Sequence, residues 1–153
     1  MTTIFLGMPP ANVERWIKDH AAPAEHPETR FTLSDGTVET HNITGSFDMG
    51  WMIDNGYFDE SDWSWKKTIT QADIGTTVTS IEDSAFSGCG NLTSVTLPDS
   101  VMYIEWGVFS DCSGLTSVTI VANGGNANNV KQMVIDAFGD TEIPDNITWN
   151  MPS

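Results

Sequence analysis

Residues 78–100 read VTSIEDSAFSGCGNLTSVTLPDS and residues 101–120 read VMYIEWGVFSDCSGLTSVTI. At a shift of 23, Val78, Ile81, Phe86, Cys89, Leu92, Val95 and Leu97 fall on Val101, Ile104, Phe109, Cys112, Leu115, Val118 and Ile120, seven apolar positions without a gap. A fixed period marks a repeat, in which each unit hides its apolar ladder only by stacking on a neighbour. Leu-Thr-Ser-Val-Thr-Leu alternates apolar and polar, the pattern of a short strand with one buried face. Val78 to Ile81, with Ala85 and Phe86, reads as a return segment, and Gly88, Gly90 and Asn91 punctuate the turn between them. Phe86 over Phe109, Cys89 over Cys112 and Leu92 over Leu115 are expected as columns with levels about 4.8 Å apart.

The same ruler extends both ways. Moving back 23, Ile69, Ile74 and Val78 match Leu92, Leu97 and Val101, which gives a half-repeat. Moving forward, the interval stretches to 29 and places Val130, Met133 and Phe138 on Val101, Ile104 and Phe109. Ile147 and Trp149 then correspond to Val95 and Leu97, and the Gly/Asn-rich stretch 121–129 holds the extra residues as a loop. The expected fold is α+β: a short solenoid of about three units over residues 68–153, the last one degenerate.

The 23-residue length falls in the leucine-rich-repeat range, and LTSVTLPDSV followed by Ile104, Phe109 and Cys112 resembles the BspA-like leucine-rich repeats. The resemblance is strong over about 69–120 and weaker over 130–153. It implies a non-enzymatic interaction module of bacterial surface or secreted proteins, also seen on some protist surfaces, with adhesion or protein–ligand contact as its biology. It implies no shared catalytic residues. Three units leave little concave surface for a partner.

Residues 1–67 do not repeat. Pro9-Pro10 before ANVERWIKDH predicts a helix with Val13, Trp16, Ile17 and His20 on one stripe. RFTLSDGTVETHNI (30–43) alternates around Asp35-Gly36 and predicts a hairpin, with Phe31, Leu33, Val38 and Ile43 facing the core. GWMIDNGYFDESDWSW (50–65) follows, rich in aromatics. Solenoid ends are apolar and need covering, so 1–67 is expected to be an α+β cap.

The chain has 153 residues, 39% of them hydrophobic, with 6 basic against 21 acidic side chains and a formal charge of −15. One globular domain follows from length and apolar content. Nucleic-acid binding is excluded as an expectation, because phosphate recognition needs clustered cations. No apolar run is long enough to insert in a membrane. The first residues lack a basic and then apolar leader. Residues 68–153 carry 1 basic and 10 acidic side chains, a repulsive field that favours a monomer and steers basic partners.

Candidate chemistry is sparse. Trp51, Tyr57, Trp63 and Trp65, interleaved with Asp54, Asp59, Glu60 and Asp62, form the candidate ligand-binding set. Aromatic faces stack on sugar rings and carboxylates take their hydroxyls. A carbohydrate-binding or glycan-cleaving protein is therefore the alternative reading, and a structural part of a larger surface or phage assembly a third. His20, His26 and His41 show no zinc spacing, the acidic stretch lacks a calcium-loop register, and no cofactor is implied. Cys89 and Cys112 are read as buried thiols filling the core. Asn42, Asn91 and Asn146 head glycosylation sequons, but Asn91 sits where the repeat needs a turn.

Overall fold

The computed structural model describes residues 26–121 and 127–151. The expected helix with Val13, Trp16, Ile17 and His20 lies outside the described residues. The first described elements are β1 (Thr29–Leu33) and β2 (Val38–His41), an antiparallel hairpin closed over Asp35-Gly36. Gly36 sits at φ +88 and its N–H donates to the Leu33 carbonyl at 2.9 Å. Phe31 and Ile43 are buried and Leu33 packs partly against the core. Val38 corrects the expectation: it is 55% exposed. The pairing runs Thr32 to Val38, one residue off the register of a two-residue turn, and an odd offset moves a strand's whole side-chain set to the other face.

The chain then coils. Residues Gly45–Phe47 form β3, and α1 (Met49–Asp54) is capped by Asp48, whose carboxylate accepts the Trp51 N–H at 2.9 Å. Phe58–Asp59 (β4) and Ser64–Trp65 (β5) pair as a small hairpin. From there each level contributes strands in turn: β6 (Ile69–Asp73) and β7 (Val78–Ile81), then β8 (Ser94–Pro98) and β9 (Tyr103–Ile104), then β10 (Ser117–Val121). Helix α2 (Ala127–Asp136) follows, and β11 (Thr148–Asn150) ends the described fold.

Two open parallel stacks result. β6, β8, β10 and β11 are parallel neighbours, and β1 and β2 extend their sheet to six strands in the order β11-β10-β8-β6-β1-β2. β3, β7 and β9 form the second sheet, also parallel. The period of 23 is the register itself: Ala72 lies beside Val95 and Val95 beside Val118. The rings of Phe86 and Phe109 stack at 5.6 Å and 4°, and Phe138 continues the column 6.1 Å beyond Phe109. Phe47 sits 5.5 Å from Phe86 on the other side, so one aromatic spine crosses both halves of the chain.

Threonine hydroxyls tie one level to the next. Thr93 Oγ1 donates to the Thr70 carbonyl at 3.0 Å, and Thr116 Oγ1 to the Thr93 carbonyl at 3.3 Å. Gly114 lies where two levels come close: a Cβ there would sit 2.5 Å from the Gly90 carbonyl oxygen.

The third unit departs from expectation twice. Asn128 and Asn129, read as loop, belong to α2, where Val130 and Val134 are buried one turn apart. Trp149 pairs with Val118 and so continues the Val95/Val118 column, two places from the Leu97 position assigned to it by counting. Phe138 keeps its place in the column, and eleven residues separate it from Trp149 where nine separate Phe109 from Val118, so the turn after Phe138 is two residues longer.

Candidate functional site

The four aromatic residues singled out in the sequence occupy two separate places. Trp51 and Tyr57 join the inner cluster, with ring centroids 5.7 Å apart and stacked; Phe31 meets the edge of Tyr57 at 5.3 Å. Tyr57 is fully buried, so neither of its faces is open to a ligand, which corrects its place in the ligand-binding set. Its hydroxyl donates to Glu39 at 2.6 Å and lies 2.7 Å from His41 Nε2. Lys67 Nζ completes the group 3.0 Å from Glu39 and 4.9 Å above the Tyr57 ring. The hydrogen bond from Tyr57 holds the Glu39 carboxyl below its ordinary range, burial lowers His41, and burial with the Glu39 contact raises Tyr57. This group is structural: its atoms satisfy one another inside the fold.

Trp63 and Trp65 stand elsewhere, on the β4–β5 hairpin. Asp59 accepts from the Ser61 N–H and hydroxyl at 2.8 and 2.6 Å, and Asp62 accepts from Lys66 and Ser64, each at 2.6 Å. These bonds shape the loop and hold both carboxyls below their ordinary range; for Asp59 the leading cause is the Ser61 hydroxyl, for Asp62 the Lys66 bond. Both are therefore ionised acceptors, the opposite of the raised carboxyl that a general acid in glycan cleavage needs. Trp65 Nε1 donates to the Ser87 carbonyl at 3.0 Å, which pins that ring. Phe58 meets Trp63 and Trp65 edge-on at 5.4 and 5.2 Å. Trp63 itself is 76% exposed.

An open cavity of about 630 Å³ lies between this hairpin and the turns of the repeat, lined by Phe58, Trp63, Trp65, Asp83, Ser84 and Asp111 among others. Trp63, Asp83, Ser84 and Asp111, at φ 58, 48, 59 and 60, are the positive-φ non-glycine residues of the described chain, and all four line this cavity. Reading by motif missed the last three. For two of them the signal was in the alignment: Ser84 stands where the next unit has Gly107 (φ 90), and Asp111 where the previous unit has Gly88 (φ 80). The repeat bends through the left-handed region at those places, and glycine is the residue without a steric penalty there.

The remaining candidates resolve simply. Cys89 and Cys112 are buried free thiols, and Cys112 Sγ donates to the Phe86 carbonyl at 3.1 Å. Burial pushes the Cys112 thiol up to about 12 and raises Cys89 as well. Among the described residues no group of three or more His, Cys, Asp or Glu converges as a metal site, and no helix is long and apolar enough to cross a membrane.

A family model described as BspA type leucine rich repeat region (6 copies) matches residues 57–149. No curated protein and no solved structure matches the chain.

Proposed function

The chain belongs to the BspA-type leucine-rich-repeat family, and from that premise we propose that it is a surface-associated, non-enzymatic interaction module that acts as a monomer. Residues 68–153 form a short solenoid, residues 1–67 cap one end and the drifted third unit closes the other. Its contact surface is the cavity under Trp63, and its partner is a protein or a glycan. The observation that carries this reading is the hairpin itself. A tryptophan three-quarters exposed, held edge-on by Phe58 and backed by a hydrogen-bonded Trp65, is a rigid aromatic platform rather than a core filler.

Glycan binding is the second reading, favoured by the same two indoles, since an open aromatic face with flanking carboxylates suits a sugar ring. Tryptophan fluorescence against a panel of oligosaccharides separates the two. A shift that disappears in both Trp63→Ala and Trp65→Ala assigns the cavity to glycans; an unchanged spectrum with every sugar removes the glycan reading.

A further inference from the structure

We infer that the cavity beneath Trp63 receives a guanidinium group, an arginine side chain on a basic segment of a partner protein. The inference rests on the reading of this cavity as the contact surface and names the chemistry of its occupant.

Three observations support it. The first is the pairing of aromatic and acidic groups in one open space. Trp63 presents an uncovered indole, and Asp83 and Asp111 lie in the wall of the same cavity. A planar cation over an indole face gains from the ring's quadrupole, and guanidinium does so while offering its edge N–H groups to carboxylates. The second is that no described cation occupies it. Among the described residues no lysine or arginine lines the cavity and no ion pair involves Asp83 or Asp111. Lys66 and Lys67, the cations nearest in sequence to the hairpin, are committed to Asp62 and Glu39. The third is the field: 6 basic against 21 acidic side chains draw a basic segment toward this surface from a distance. Arginine fits better than lysine because its planar guanidinium lies flat on an indole while its forked N–H groups reach a carboxylate, which a compact, strongly hydrated ammonium does not do. The space of about 630 Å³ exceeds one side chain and admits the flanking residues of an extended segment.

The experiment titrates the full chain with an acetylated, amidated Gly-Arg-Gly-Arg-Gly peptide. The matched controls are the same peptide with citrulline in place of arginine and a set of neutral oligosaccharides. The readout is the set of indole N–H resonances, assigned by substitution. The arginine peptide should shift Trp63 and Trp65, bind about tenfold more tightly than the citrulline peptide, and weaken as salt is added. Trp63→Ala and the double variant Asp83→Asn/Asp111→Asn should each weaken binding about tenfold. All three side chains are exposed, so these changes leave the core intact. Trp106→Ala, at another exposed indole outside this cavity, should bind like the parent. Equal binding of the arginine and citrulline peptides overturns the inference. Response of Trp63 to a neutral oligosaccharide but not to arginine overturns it too, while the cavity stands as a contact surface. Silence of Trp63 toward every probe removes both.

Discussion

The Tyr57 hydroxyl carries one proton, and its 2.6 Å bond to Glu39 commits that proton, so His41 Nε2 must supply the hydrogen for the 2.7 Å contact on the other side. Tyr57→Phe removes both bonds and leaves His41 facing a gap; it should lower stability by about 1–2 kcal/mol, read from urea denaturation. The same geometry sets a pH dependence. Folded His41 titrates below its ordinary 6.5 because burial disfavours its charged form. As pH falls through 6.5 the unfolded chain takes up the proton first, so stability should decline below that point. Glu39, also lowered, adds to the loss at more acidic pH as its carboxylate is protonated. His41→Gln should flatten the profile just below 6.5 and leave the more acidic limb; an unchanged slope there would contradict the assignment. Nothing in the sequence joins these residues, since Glu39, His41, Tyr57 and Lys67 share no spacing and meet only once the hairpin is folded over α1.

At the level of the element, the repeat was legible wherever its length is constant. Phe86, Phe109, Val95 and Val118 stack as counted because 23 residues separate them and each level repeats the same two strands. Legibility failed where the count changes. Trp149 landed two places off because the turn after Phe138 is two residues longer than the one after Phe109, and Val38 turned outward because one extra residue in its turn reverses the face. The left-handed turns give a sharper test of the repeat's backbone. Gly107→Ala should cost about 1–2 kcal/mol, because a Cβ at φ 90 meets its own chain. Ser84→Gly, the same place one unit earlier, should cost no more than about 0.5 kcal/mol, since strain relief offsets the added freedom of the unfolded chain. The split of the aromatic set was invisible for a different reason: β4 and β5 are two residues each, too short for an alternation to announce which rings face in.

Across the whole molecule, the spine from Phe47 through Phe86 and Phe109 to Phe138 joins the proposed cap to the repeat. β1 is also the hydrogen-bonded neighbour of β6. Removing 1–67 would bare that strand edge and the face of Phe86, so fragment 68–153 should aggregate or stay unfolded in a sedimentation and denaturation test. A soluble, cooperatively folding fragment would contradict the capping role. Phe109→Ala, at the middle of the spine, should cost about 3–5 kcal/mol, and a loss under about 1 kcal/mol would mean that the column is misplaced. The central claim is that levels 23 residues apart lie directly over one another, and double-mutant cycles on the spine test it most directly. Phe86→Leu with Phe109→Leu should couple by about 0.5–1.5 kcal/mol, whereas Phe86→Leu with Phe138→Leu, one level further apart, should add within about 0.3 kcal/mol. Additive behaviour of Phe86 with Phe109, or equal coupling in both pairs, would contradict the stack.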